Sequence, residues 1–146
     1  MLLPASVFAS DPVITSDSRT FDPLSGEYTL TGHVYVRITP HDQEMIITGD
    51  YTKVKVYSME VHGKGNINLT YGDLNFTCAK TDVYHSNRTA YVEGNITFKD
   101  GPTTITADKG SYCWKTKLAA FQGNVVVNGQ AYDHDIQYDV TAKKVL

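Results

Sequence analysis

Four short segments of this chain repeat one pattern, a glycine followed by apolar residues at alternate positions. The glycines are Gly32, Gly65, Gly94 and Gly123, and they lie 33, 29 and 29 residues apart. A period of about 30 residues is typical of one supersecondary unit stacked several times. Because glycine within an apolar–polar alternation marks a bend in a strand, the repeat predicts long strands that bend at each glycine.

Composition favours strands over helices. The 146-residue chain is rich in tyrosine and poor in proline, with 10 and 5 residues. β-branched and aromatic residues favour strands, and no segment of helical length shows a helical apolar period. We therefore expect an all-β domain large enough for a hydrophobic core. The net charge of −3 argues against nucleic-acid binding, which requires a basic surface.

Turn-forming residues divide each repeat unit into two similar halves. Asp100-Gly101-Pro102 and Asn128-Gly129 are two examples. Asp-Gly and Asn-Gly supply the positive φ that tight hairpin turns need, and Pro fixes φ. Each unit is therefore predicted to form one antiparallel hairpin. We assign residues 12–146 to a single domain built from these hairpins.

Residues 1–11 are predicted to lie outside this domain. Met1 to Ala9 are mostly apolar but too few to cross a membrane, which takes about 20 apolar residues. Val7-Phe8-Ala9 before Ser10 is similar to the end of a secretory signal peptide. Two interpretations stay open, a signal-peptide remnant and a disordered tail.

The two cysteines, Cys78 and Cys113, also leave two interpretations open. An exported protein could join them in one disulfide. The 29-residue period does not superimpose one on the other, so two separate buried thiols are the alternative.

Strand alternation places one set of apolar residues on a single face of the predicted sheet. They lie two and four residues after each glycine or two residues before it, and Ile14 joins them from the first strand. The second unit departs from the pattern, because Gly63 stands where an apolar residue is expected. This apolar strip consists of Ile14, Leu30, Val34, Val36, Ile67, Leu69, Val92, Ile96, Phe98, Phe121, Val125 and Val127.

No residue pattern points to catalysis or to a metal. Asp133-His134-Asp135 has the composition of a metal site, but neighbours along a strand point to opposite faces and a solvated edge is favoured. We predict a protein that is not an enzyme and needs no cofactor. Five aspartates could supply acid–base chemistry, but most precede turns, where Asp hydrogen-bonds its own backbone: Asp17, Asp50, Asp82, Asp108 and Asp139.

The repeat resembles the OstA-like family of lipopolysaccharide-transport proteins, which includes LptA, LptC and the N-terminal domain of LptD, with LptA most similar. The family pattern is Ala-Asp-x3-Tyr/Phe-Asp, a turn, and an apolar stretch ending in Leu-Thr-Gly-Asn-Val-x-Val. Residues 17–36 carry this pattern almost whole, and residues 107–127 are the next best copy. The resemblance extends over residues 12–146.

This resemblance implies a bent antiparallel β-jellyroll whose interior shelters the acyl chains of lipopolysaccharide, so that the apolar strip becomes the predicted lipid-binding surface. It also implies a periplasmic bridge in a diderm bacterium. The protein would join head-to-tail with itself and with LptC-like and LptD-like domains by edge-strand pairing. Exposed strand edges invite such pairing, and the candidate edges are residues 12–15 and 131–146.

Two further points follow from the sequence. Arg37, Lys53 and Lys55 lie near the rim of the first hairpins and are candidate contacts for lipid phosphates, since Arg suits bidentate phosphate binding. The residues also allow a different kind of function, a structural β-repeat used as a scaffold or adhesin-like module. Such a protein would have a closed core and no lipid ligand.

Overall fold

The computed structural model describes residues 12–41 and 43–146, and every regular element in them is a strand. This confirms the all-β prediction. The predicted tail, residues 1–11, lies outside the described residues. The strands are β1 Val13–Thr15, β2 Ser18–Asp22, β3 Glu27–Ile38, β4 Met45–Lys55, β5 Glu60–Tyr71, β6 Leu74–Tyr84, β7 Thr89–Asp100, β8 Thr103–Cys113, β9 Leu118–Gln122, β10 Val126–Val127, β11 Gln130–Ala131, β12 Ile136–Asp139 and β13 Lys144–Val145.

The strands form one antiparallel sheet whose middle is a meander of the six long strands β3 to β8 in chain order. Four of the five turns between them contain Gly, Asp, Asn or Pro, and each unit contributes one hairpin as expected. The turn at residues 56–59 contains none of these residue types. Shorter strands complete both ends. β1 and β2 pair with the two halves of β3, and β10 and β9 pair with the two halves of β8. β11 then extends β10, while β12 and β13 extend β9.

The repeated glycines mark a line along which the whole sheet bends, which we call the spine. The register shifts at this line in five consecutive strand pairs, as between Thr31 and Val34 in the β3–β4 pair. Each glycine has a positive φ, and so does the residue after it. Gly and Asn enter this left-handed conformation at least cost, which explains the Gly-Asn repeat. The residues after the four glycines are His33, Asn66, Asn95 and Asn124.

The spine divides the sheet into two layers that face each other. Alternate side chains from both layers point inward and form one core, as the period of two predicts. Among the described residues, the turns of layer A include residues 39–41 with 43–44, 72–73, 101–102 and 128–129, and those of layer B are at residues 23–26, 56–59, 85–88, 114–117 and 140–143.

An aromatic cluster fills one part of this core. Phe98 lies at its centre, with ring centroids 4.8 Å from Phe76, 5.2 Å from Phe121 and 5.5 Å from Tyr138. All four side chains are fully buried. The cluster joins strands that are distant in sequence, so it ties the two layers together.

The irregular second unit keeps the regular register. Gly63 pairs with Thr52 and Thr81 across the sheet, so no additional slip occurs there. A Cβ atom on Gly63 would lie 2.9 Å from Cδ1 of Ile67. Ile67 therefore fills the space of the missing side chain, and the apolar strip has no gap at this point.

Candidate functional site

The apolar strip predicted from the sequence lies inside the fold. Ten of its members are buried with 0–3% of their surface exposed. Ile14 and Val127 are partly buried and pack against the same core. The structure thus brings all twelve residues together on the inner surfaces of the two layers.

The spine is held by a repeated side-chain bracket. Asp50 accepts a hydrogen bond of 2.9 Å from Asn66, and Asp108 accepts one of 2.8 Å from Asn124. In each case the aspartate precedes the repeat glycine by 15 residues. These aspartates were expected to bind the backbone of a following turn, which is wrong, because their carboxylates reach across the bend instead.

The first and third bends vary this bracket. At the first bend, Asp17 Oδ2 lies 2.7 Å from Nδ1 of His33, and this contact raises the pKa of the imidazole. At the third bend, Ala79 takes the place of the aspartate and lies beside Gly94. Asn95 therefore has no carboxylate partner from this position.

The two layers meet again opposite the spine, at an edge that we call the mouth. A turn of layer B approaches a turn of layer A there, since Nε2 of His85 lies 3.1 Å from the carbonyl oxygen of Pro40. Asp100, from layer A, accepts hydrogen bonds from the Lys143 ammonium at 2.9 Å and the Tyr138 hydroxyl at 3.0 Å, both from layer B. Polar contacts thus close the mouth.

Burial and a neighbouring charge shift the pKa values of three ionisable side chains at the mouth. Asp100 is only 1% exposed. Its hydrogen bond raises the pKa of Lys143, so this lysine stays charged. Burial is the main reason that the pKa of Tyr138 is raised and that the pKa of Tyr112 rises to about 12. Both phenols therefore remain neutral at physiological pH.

A cavity of about 800 Å³ opens at the mouth between the two layers. Its lining combines basic side chains on the rim with aromatic side chains deeper inside. Sequence reasoning missed the basic set, although Arg88 and Lys117 are separated by the 29-residue period. The lining side chains that matter here are Tyr71, Arg88, Asp100, Tyr112, Trp114, Lys115, Lys117 and Lys143.

The basic residues singled out in the sequence lie elsewhere. Arg37, Lys53 and Lys55 alternate with buried neighbours and are on the outer face of the sheet. Arg37 lies 3.7 Å from Glu44, and Lys53 lies 3.7 Å from Glu27. The structure does not bring these three to the mouth.

The cysteines are free thiols. Cys78 is buried, and burial raises its pKa to about 11. Cys113 is partly buried, and burial opposes its ionisation. Hydrogen bonds from Thr116, Lys115 and Thr89 outweigh that effect and lower its pKa.

The Asp133-His134-Asp135 segment does not converge on one point. His134 contacts Asp133 at 2.8 Å, whereas Asp135 accepts a bond from the backbone of Gly123. Within residues 12–41 and 43–146, no three His, Cys, Asp or Glu side chains are placed to hold a metal ion. Nor does any helix in these residues have the length and apolar character to cross a membrane.

The four outermost strands each pair on one side only within the described part of the chain. β1 and β2 pair with β3 at one end of the sheet, and β11 and β13 pair with β10 and β12 at the other. The predicted joining edges, residues 12–15 and 131–146, contain β1 and β13 and one of the two residues of β11, whereas β2 lies outside both ranges. Each layer thus presents a short strand at both ends.

A single antiparallel sheet, bent along a glycine spine around an apolar interior, is the β-jellyroll of the LptA-like proteins. Among solved structures, the chain is similar to that of LptH, the LptA-homologous periplasmic component of the lipopolysaccharide transport device of Pseudomonas aeruginosa. The TM-score is 0.62 and the identity 13%, over 97% of this chain and 85% of that chain. This similarity confirms the predicted fold. No family model and no curated protein matches the chain.

Proposed function

We propose that this protein binds the acyl chains of lipopolysaccharide between its two layers and carries the lipid as part of a bridge between the inner and outer membranes. The observation that carries the proposal is the apolar strip, which forms a continuous inner wall in a fold shared with a component of a lipopolysaccharide transport device. Binding by such a wall needs neither catalysis nor a cofactor. The site of action is the periplasm of a diderm bacterium.

Acyl chains reach the interior when the layers separate at the mouth. The spine is continuous backbone, whereas the mouth is closed by side-chain contacts such as those of His85 and Lys143. Separation exposes the inner wall, and acyl chains then cover it again. Burial of apolar surface stabilises the complex by about 25 cal/mol per Å².

Photocrosslinking tests this proposal. A photoreactive amino acid is placed singly at four inner positions, Val36, Ile67, Phe98 and Val127, and the protein is irradiated with lipopolysaccharide. The matched controls are Asn68 and Lys99, each next to an inner position but exposed on the outer face. We expect lipid adducts at the inner positions and few at the controls.

The same experiment decides between transport and a second candidate function. The tight aromatic cluster around Phe98, with centroids 4.8–5.5 Å apart, favours a structural β-repeat with a permanently closed core. Absence of adducts at all four inner positions, or equal labelling at Asn68 and Lys99, would contradict lipid transport and support the structural module.

We further propose that the bridge forms head-to-tail through the end strands. β1 and β2 would pair with β11 and β13 of a second copy, or with LptC-like and LptD-like domains at the two ends of the bridge. Unpaired strand edges favour this addition, because each added strand supplies main-chain hydrogen bonds.

A proline substitution in β2 tests the assembly. The backbone N–H of Asp17 points toward Gly32 of β3, so alternation turns the N–H of Thr20 outward. Thr20→Pro removes this outward donor and leaves the β2–β3 ladder in place, whereas Thr20→Val keeps the donor. Light scattering measured over a range of protein concentrations should show self-association of the wild type and of Thr20→Val, but not of Thr20→Pro. A strict monomer at high wild-type concentration contradicts the bridge.

A further inference from the structure

The mouth cavity concentrates positive charge that the apolar interior does not require. Four basic and two acidic side chains line it, in a chain whose net charge is −3. One of the acids, Asp100, is already bonded to Lys143. Within the described ranges, Arg88, Lys115 and Lys117 make no ion pair. Three positive charges thus face the cavity without an ion-pair partner in these ranges, and Asp73 is the one further acid in the lining.

Three of the basic residues occupy equivalent places in successive turns of layer B. Arg88, Lys117 and Lys143 end their turns with φ values of 54°, 59° and 55°. Gly26 and Met59 hold this place in the first two turns. The carbonyls of Arg88 and Lys117 accept backbone hydrogen bonds of 3.0 and 3.1 Å from the next turn, which keeps the turns stacked. The three basic residues therefore form a column along the mouth.

Turn geometry alone does not account for this column. A left-handed residue at the end of a turn is most often Gly or Asn, and a long basic side chain brings no advantage to the backbone there. Stacked turns lie two strands apart, about 10 Å at a strand spacing of about 4.8 Å. Separate charges at this spacing suit a ligand with anionic groups spread over a similar distance.

The cavity is continuous with the apolar interior. Below the basic rim, the rings of Tyr71 and Tyr112 approach to 5.7 Å across the mouth. Tyr138 hydrogen-bonds Asp100 in the lining and also contacts Phe98 of the apolar strip, with ring centroids 5.5 Å apart. Basic, aromatic and apolar surfaces thus follow each other from outside to inside, which matches an amphiphile better than a small free anion.

We propose that the mouth cavity binds the phosphate-bearing head group of an acylated lipid, with Arg88, Lys115 and Lys117 contacting phosphate oxygens. Arg binds phosphate in bidentate geometry and Lys acts as a point charge. This inference rests on the proposed function for the acyl chains and adds the place and chemistry of the head group. It assigns head-group contacts to the mouth rather than to Lys53 and Lys55 on the outer face.

Trp114 provides a local signal for the test, because it lines the cavity and is the single tryptophan of the chain. Its fluorescence is followed while the full chain is titrated with lipid A, with phosphatase-treated lipid A of the same acyl composition, and with inorganic phosphate alone. The test variant is R88Q/K117Q. The matched control is K53Q/K55Q, which removes the same charge from the outer face.

We expect the wild type and K53Q/K55Q to bind lipid A about tenfold more tightly than the dephosphorylated lipid, a factor typical of lost charge-assisted contacts. In R88Q/K117Q this preference should disappear. Equal weakening of both variants would indicate a general charge effect and overturn the proposal. A wild type without preference for phosphate, or one saturated by inorganic phosphate alone, would overturn it too.

Photocrosslinking at Phe98 separates this inference from the proposed function. If lipid A adducts form at Phe98 but phosphate makes no difference to Trp114, the head-group site is wrong while acyl-chain transport stands. If Trp114 distinguishes phosphorylated lipid but neither Phe98 nor the other three inner positions give an adduct, the mouth site stands and acyl binding in the interior is wrong. Loss of both signals contradicts both proposals.

Discussion

The spine and the mouth join the same two layers in opposite ways. At the spine, left-handed glycines recur with nearly constant spacing, and the full bracket of Gly, Asn and Asp holds the continuous backbone at two of the four bends. At the mouth, single contacts such as Lys143–Asp100 and His85–Pro40 join turns that differ from one another. The difference suggests that the spine acts as the fixed side of the sheet and that the mouth is the side that opens.

Replacing a spine glycine should have the largest effect on stability. In Gly123→Ala, the new Cβ would lie 2.7 Å from the Asp108 carboxylate, at a φ of +79°. Left-handed strain and damage to the bracket should together lower the free energy of unfolding by about 2–4 kcal/mol. Gly101→Ala is the control, since Gly101 has a φ of +58° but no atom within 4 Å of the added Cβ.

Urea unfolding compares the two glycine variants. Gly101→Ala should lose about 1–2 kcal/mol, the cost of the left-handed backbone alone. If both variants lose the same free energy, the bracket does not stabilise the spine and the contrast between spine and mouth is weakened.

Removing one hydrogen bond at the mouth should have the next largest effect. Tyr138→Phe leaves the buried carboxylate of Asp100 with Lys143 as its remaining partner. The expected loss is about 1.5–3 kcal/mol, typical of a hydrogen bond to a charged group. Tyr112→Phe is the control, because the Tyr112 hydroxyl has no hydrogen-bond partner among the described residues. Thermal unfolding that shows equal losses for both variants would mean that the Asp100 contact contributes little to closure.

The third bend allows the opposite test, a gain of stability. Ala79→Asp restores the carboxylate that the other three bends possess, and Asn95 is its expected partner. One additional hydrogen bond should raise the free energy of unfolding by about 0.5–1.5 kcal/mol. The gain should vanish in an Asn95→Gly background, where the amide is absent but the left-handed backbone is retained. A gain in both backgrounds would show that the Asp–Asn bracket is not its cause.

The contrast between the spine and the mouth also explains which features of the molecule could be predicted from the sequence. The glycine period, the turn residues and the alternation each depend on local backbone preferences, so the strands, the bends and all twelve strip residues were predictable from them. The mouth depends on contacts between turns far apart in the chain. Asp100 and Lys143 are 43 residues apart, and no local preference relates them. The basic column was missed for the same reason, because its members share a place in the stack rather than a motif.

A pH titration probes the smallest difference, the one between the first bend and the others. His33 stands where the other bends have Asn, and its contact with Asp17 raises its pKa above 6.5. Protonated His33 therefore stabilises the fold fully below pH 6.5, and this contribution is lost as the pH rises through the raised pKa. NMR titration should show that pKa return toward its ordinary value in Asp17→Asn. In His33→Asn, the first bend matches its neighbours, and this part of the pH dependence should disappear while the fold is kept. An unchanged pH profile in His33→Asn would show that the first bend is held without the charge on His33.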